Sequence, residues 1–368
     1  MQSSQTSRRP RDLGIEFGVF PTGRFNAITD VDGVLVGQVT LEDDAAGMHT
    51  GVTAIRPHPG NVFEEKVPAG IFLGNAFGKM AGYPQVKELG NIETPIVLTN
   101  TLNVGAGLEG VVEWTLSQPG NELVRSVNGL VGETNDGKEN DIRARFVKPE
   151  HVLEALRKAS PGPVEEGCAG AGTGTVAFGF KAGIGTASRV LPKSLGGYKV
   201  GVLVQANFGG ILNVKGIEAG LELGGWPGEK EMQEFRSADG SIMMIAATDA
   251  PLDARNLERL AKRAFMGMTR TGGVASNGSG DFVVAFSTNE SVRVRHTAAK
   301  GTLEGAPLVR NDDMTPLFMA AIEATEEAVI NSLFAAHDAR TWDGKVIRAL
   351  PVERVLAMLD RAGLRSRS

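Results

Sequence analysis

Glycine makes up 48 of the 368 residues, with no matching rise in proline. That is near twice the ~7% of an average chain. The glycines sit among Val, Ile, Leu, Ala and Thr rather than in polar low-complexity tracts, so disorder is a poor account of them. Such a chain is built for many short strands, joined by tight turns or packed backbone against backbone. Aromatic residues are only 6%, which suits thin layers rich in Val, Ile and Ala.

Apolar runs place strands at Val34–Val39, Val52–Ile55, Ala69–Leu73, Thr94–Thr101, Gly129–Val131, Val176–Phe180, Val200–Gln205 and Ile242–Ala247. Helical patterns cover Gly105–Leu116, Pro149–Ala159, about 253–269 and about 315–335. The third carries Leu257, Leu260, Ala261, Ala264 and Met268 on one face, the spacing of a half-buried helix. Residues 222–240 read as a loop or insertion, and residues 1–12 as a disordered N-terminus. Many strands are adjacent and βαβ spacing is irregular, which predicts a layered α/β fold with mixed or antiparallel sheets. No repeat of solenoid period is present.

Several classes are excluded. A net charge of −5 argues against tracking nucleic-acid phosphates. No apolar run approaches a membrane span. Cys168 is the lone cysteine and the five histidines form no helical pair, so thiolate or imidazole metal centres are not expected. Asp30 and Asp32 suit a turn better than a cation. Arg8-Arg9 matches a twin-arginine pair, but no apolar stretch follows, and a cytoplasmic location is expected. Gly167–Gly174 suggests a phosphate loop, yet a strand is expected after it where the dinucleotide fingerprint needs a helix.

Ser276-Asn277-Gly278-Ser279-Gly280-Asp281 lies between a helix and the apolar run Phe282–Phe286. The two glycines are expected to bend the backbone sharply at the serine. No histidine stands in a triad-like context, so Ser279 needs a carboxylate, a lysine or its own α-amine as activator. An α-amine titrates at roughly 7.7–8.0, well suited to general-base work. Attack of the hydroxyl on the Gly278 carbonyl would create that amine. Elsewhere, Glu133 to Gly137 forms a polar turn after a strand, and Asn207 follows another strand end, where a side-chain amide can face an oxyanion. Thr325 and Glu327 are two apart, so they share a site only if their helix is broken there.

The sequence resembles the self-processing N-terminal-serine aminopeptidases of the DmpA/BapA type, the L-aminopeptidase/D-amidase and β-peptidyl aminopeptidase family. The resemblance rests on Asn26–Val31, Leu98–Thr101, Gly170–Gly174, Gln205–Gly209, Asn277–Asp281 with Ala285–Thr288, and Thr325–Ala328. It implies a four-layer αββα sandwich. It also implies cleavage between Gly278 and Ser279, giving an α chain 13–278 after the N-terminal segment and a β chain 279–368. Ser279 would be the nucleophile, with its amine or the Thr325/Glu327 pair moving protons. Asn207 would hold the oxyanion, and Glu133 with Asn135 would bind the ammonium group of a small peptide or amide. The resemblance further implies a homotetramer of αβ units and no metal or other cofactor. Position 135 varies within the family and bears on the choice among L-aminoacyl, D-alanyl and β-amino substrates. Three other readings remain open: an acyltransferase of the ornithine acetyltransferase type, a nucleotide-binding module using the Gly167–Gly174 loop, and an unprocessed inactive relative.

Overall fold

The computed structural model describes residues 9–224, 240–296 and 305–366. The first half of the chain supplies β1 (Leu35–Asp43), β2 (Met48–Arg56), β3 (Glu65–Ala76), α1 (Tyr83–Leu89), β4 (Asn91–Ile92), β5 (Ile96–Asn100), α2 (Val104–Leu116), β6 (Leu130–Thr134) and α3 (Pro149–Lys158). The second supplies β7 (Val176–Ala177), β8 (Phe180–Lys181), β9 (Ile184–Val190), β10 (Lys199–Asn207), α4 (Ala219–Leu223), β11 (Gly240–Thr248), α5 (Ala254–Arg270), β12 (Ser279–Ser287), β13 (Val294–Arg295) and α6 (Thr315–Phe334).

A small sheet runs β1-β2-β5-β6 and a large one runs β13-β3-β12-β11-β10-β9, with β4 paired to β3. Two pairs, β5/β6 and β11/β12, are parallel and the other neighbours are antiparallel. Three apolar cores separate four layers. Val111, Val152 and Leu156 pack α2 and α3 on the small sheet. Ile55, Leu98, Ile71, Ile245 and Phe286 fill the space between the sheets. Leu257, Leu260, Ala320, Ala324, Val283 and Ala285 join α5 and α6 to the large sheet. The fold is thus an αββα sandwich with mixed sheets.

The glycines do what their abundance suggests. A Cβ on Gly185 would lie 1.9 Å from the Ala328 carbonyl oxygen of α6, and one on Gly70 2.2 Å from the Glu258 amide of α5. Bare backbone at those positions lets the helices settle directly on the sheet.

Some sequence expectations need correction. The run Val176–Phe180 is not one strand, because Phe178 (φ 53°) and Gly179 (φ 82°) both turn left-handed and split it into a tight hairpin. The Gly170–Gly172 turn is no phosphate cradle. Its amides donate to Thr40 and Thr53 hydroxyls in the small sheet, and Gly172 abuts Ile184 of the large one. The carboxylate of Asp30 accepts from the Phe25 and Ala27 amides and the Ser188 hydroxyl. Residues 1–8 and most of the 222–240 loop lie outside the described residues. Arg9 to Asp12 are within them and are tied down: Arg9 pairs with Glu166 and Arg11 with Glu327, each at 2.6 Å.

Candidate active site

Helix α5 is capped by Asp253, whose side chain accepts from the Asn256 amide. It leads through Gly272 (φ 94°) and Ala275 (φ 45°) to the central strand β12. The chain turns left-handed at those two residues, and a tight turn at Asn277-Gly278, closed by the Ser279 amide on the Ser276 carbonyl, delivers Ser279 as the first residue of the strand. It pairs with Gly240 of β11 on one side, while Gly280 pairs with Ala76 of β3 on the other. Asn277 is exposed, Gly278 is buried, and Ser279 is 1% exposed.

Hydrogen bonds hold this junction from several directions. The Ser279 amide donates to the Ser276 carbonyl at 2.9 Å. The side-chain amide of Asn75, at the end of β3, reaches the carbonyl oxygens of Ser276 (3.0 Å), Asn277 (3.1 Å) and Ser279. The Ser279 hydroxyl lies 2.7 Å from Asp281 Oδ1. Asp281 is wholly buried, and burial pushes its carboxyl up to about 6 against the lowering effect of that hydrogen bond.

Alternation along β12 assigns faces. Val283 and Ala285 belong to the core beneath the helices, so Ser279 and Asp281 face α5, while Gly280 faces the space between the sheets with Phe282. Asn207 is the last residue of β10 rather than a loop residue beyond it, and it faces the inter-sheet space. Its Nδ2 donates to the Asn135 carbonyl (2.9 Å) and contacts the Ser241 hydroxyl (3.3 Å), and its Oδ1 accepts from the Val176 amide (3.0 Å). Ser241 pairs with Gly280 and receives the Asn135 amide at 3.2 Å. The Ser279 hydroxyl and the Asn207 amide therefore sit on opposite faces of one sheet end.

Glu133 closes the group. It is the fourth residue of β6, inside the strand and not in the turn after it. Its Oε1 accepts from the Lys79 amide at 2.8 Å. A Cβ on Gly78 would meet Glu133 Oε1 at 3.1 Å and Gly280 Cα at 3.3 Å, so the carboxylate stands beside the start of β12. Glu133 is 3% exposed, and burial raises its carboxyl above the ordinary range despite the Lys79 amide and Thr101. Asn135 beside it is exposed.

Neither Thr325 nor Glu327 hydrogen-bonds to Ser279, Asp281, Asn207 or Glu133. Helix α6 runs unbroken from Thr315 to Phe334, so residues two apart point to different sides. Thr325 donates back to the Ala321 carbonyl and lies against Gly267 of α5. Glu327 faces away, toward β9 and the N-terminal segment, and accepts from Arg189 (2.7 Å), Arg11 (2.6 and 2.8 Å) and Asn26 (2.7 Å). Burial alone would raise its carboxyl, but Arg11 and Arg189 hold it below the ordinary range. Arg189 aligns through Val200 and Thr248 with Ser287, the opposite end of β12 from Ser279. That strand is roughly 26 Å long. Sequence reasoning missed Asp281, Asn75 and Ser241 as members of the group. Asp281 stood two residues from the serine, on the same face of a strand, and that period-2 signal was there to use.

Comparison with known proteins places this geometry. The model of peptidase family S58 matches residues 26–347. The chain belongs to peptidase family S58. Among curated relatives of this S58 peptidase is the β-peptidyl aminopeptidase BapA of Sphingosinicella microcystinivorans, 42% identical over 98% of this chain and 93% of the relative. Two solved structures match nearly end to end. One is a Burkholderia sp. β-aminopeptidase (38% identity, TM-score 0.88, 98% of this chain and 100% of that one). The other is the L-aminopeptidase D-Ala-esterase/amidase of Ochrobactrum anthropi (34% identity, TM-score 0.87, 97% and 99%), described as a prototype of the serine aminopeptidases and a variant of the Ntn hydrolase fold. The S58 chain is accordingly a serine aminopeptidase of the N-terminal-nucleophile class. Among its described residues, no helix is long and apolar enough to cross a membrane.

Proposed function

We propose that this S58 peptidase is cut between Gly278 and Ser279, and that Ser279, now a chain terminus, takes the acyl group of an N-terminal amino acid. The observation that carries this reading is the burial of the serine at 1% exposure, its amide still bonded to the Ser276 carbonyl, with a buried carboxylate beside the next residue. A hydroxyl so buried is closed to substrate while Ser279 stays joined to Gly278. Cleavage frees the Ser279 nitrogen from Ser276, so its amine and hydroxyl can turn toward the inter-sheet mouth.

There the free α-amine is a base suited to neutral pH. Glu133 is a carboxylate matched to the ammonium group of an incoming substrate, held by charge-assisted hydrogen bonds. Asn207 supplies a preorganised amide for the oxyanion once it exchanges the Asn135 carbonyl or Ser241 for that oxygen. Asn135, exposed at the rim, bears on which side chain and stereochemistry fit. The similarity to β-aminopeptidases supports small amides and peptides with an N-terminal β-amino residue as substrates, with D-alanyl and L-aminoacyl amides as the comparison set. Assembly as a homotetramer and a cytoplasmic location belong to the same reading.

Intact mass under denaturing conditions tests it. Wild type should give two fragments that split at Gly278/Ser279, Ser279→Ala one full-length chain, and wild type alone should hydrolyse β-alanyl amides. A full-length wild-type chain that hydrolyses them would remove the terminal amine from the mechanism.

A further inference from the structure

The cut raises its own chemical question, because the α-amine does not exist until the cut is made. In the uncut chain the Ser279 nitrogen is a peptide nitrogen donating to Ser276. Glu327 is committed to Arg189 and Arg11, and the Thr325 hydroxyl donates back to the Ala321 carbonyl. His296 stacks on Phe63, and His58 bonds to the Glu65 carbonyl and lies by Thr288, beyond the end of β12 opposite Ser279.

We infer that Asp281 is the base that activates Ser279 for the cut at Gly278, with Asn75 as the positioning residue that holds the scissile loop. This rests on the cleavage reading above and deepens it. Asp281 Oδ1 is 2.7 Å from Ser279 Oγ, within proton-transfer reach. Its Oδ2 is buried and has no hydrogen-bond partner, so no other donor competes for the carboxylate. An unpaired buried carboxylate is unfavourable on structural grounds alone, which is why a role in chemistry is the better account of it.

Among the described residues no charged side chain pairs with Asp281. Strand β3 presents Asn75 and β11 presents Ile242. On α5, Lys262 stacks on Phe72 and Arg270 pairs with Glu326 of α6. Glu133 and Lys79 lie beside Gly280, by the other face of the strand. Burial pushes Asp281 up to about 6, so near neutrality it is ionised yet basic enough to accept a proton. Asn75 bridges the carbonyls of Ser276, Asn277 and Ser279, which bracket the Gly278 carbonyl in the chain.

The step balances as follows. Ser279 Oγ bonds to the Gly278 carbonyl carbon as its proton passes to Asp281. The carbon–nitrogen bond then breaks, and Asp281 returns the proton to the departing Ser279 nitrogen. An ester remains between Gly278 and Ser279 Oγ. One water hydrolyses it, leaving a Gly278 carboxylate and a Ser279 with free hydroxyl and amine.

The test follows newly synthesised full-length chain by intact mass, from about pH 4.5 to 8. The wild-type cleavage rate should rise about tenfold per pH unit below an inflection near 6 and level off above it. Asp281→Asn, close in shape, should cut about 100-fold or more slowly and lose the inflection. Asp281→Glu should recover part of the rate, and Asn75→Ala should slow cutting without moving the inflection. Wild type that cuts with no inflection near 6, or Asp281→Asn that cuts as fast as wild type, overturns the assignment to Asp281 and leaves the cleavage reading intact. A wild-type chain that never splits overturns both.

Discussion

Replacing Glu327 with Gln separates two roles for a residue that the sequence pattern assigns to catalysis. The structure makes it the acceptor of Arg189, Arg11 and Asn26, with Arg189 and Glu327 both fully buried. Removing one member of a buried ion pair costs roughly 3–5 kcal/mol. Glu323 still faces Arg189 Nε at 3.1 Å, and Gln keeps an acceptor oxygen, so about 3 kcal/mol is expected. The assay is urea unfolding of Glu327→Gln in the Ser279→Ala background, where the chain stays whole. A second arm measures aminopeptidase activity per folded molecule in the processed enzyme, which should be near wild type. The pH dependence has a definite sign. A carboxyl held below its unfolded value of about 4.3 stabilises the fold above that pH and loses the effect as pH falls through its native value. Wild type should therefore weaken in acid more steeply than the Gln variant. Glu327→Gln with wild-type stability and abolished activity would refute the reasoning and return this carboxylate to the chemistry.

Three further outcomes follow from the same geometry. Glu133→Gln should raise KM about 10- to 100-fold for substrates with a free amine, as loss of one charge-assisted contact implies, with maturation followed by mass unchanged. Asn207→Ala should lower kcat about 100- to 1,000-fold, read by steady-state kinetics on processed enzyme. Asp281→Asn in the Ser279→Ala background should stabilise the uncut chain by about 2–3 kcal/mol at pH 8 in urea. A carboxyl raised from 3.8 to about 6 by burial disfavours the folded state once ionised, and that gain should vanish below about pH 4.

Local pattern was enough to read most of the fold. The apolar face of α5 from Leu257 to Met268 and the short runs that became β2, β3, β10 and β11 follow from period and residue size. What failed was local in a different sense. Phe178-Gly179 reads as strand because Phe favours strands, yet the pair turns left-handed under tertiary packing. At the site, Ser279 and Glu133 were legible as residue types next to strand ends. The separation of Thr325 and Glu327 from Ser279 was legible only in part. Helical periodicity says they diverge, but which neighbours each meets depends on how α6 lies across β9 and α5. The Asn207–Asn135–Ser241 network was not legible, since it joins both sheets through pairings between residues far apart in the chain.

The position of β12 decides how the protein would age if it were cut at Gly278. Its neighbours β3 and β11 both precede residue 279, so the new chain begins as a strand enclosed on both edges by the other. After a cut at Gly278 the halves stay interleaved, but once unfolded nothing tethers them. Refolding then becomes a meeting of two molecules and depends on concentration. An uncut chain would refold as a single molecule, whereas a cut one would rely on a slow rate of coming apart. Activation would thus exchange a reversible fold for one whose lifetime is set by a barrier.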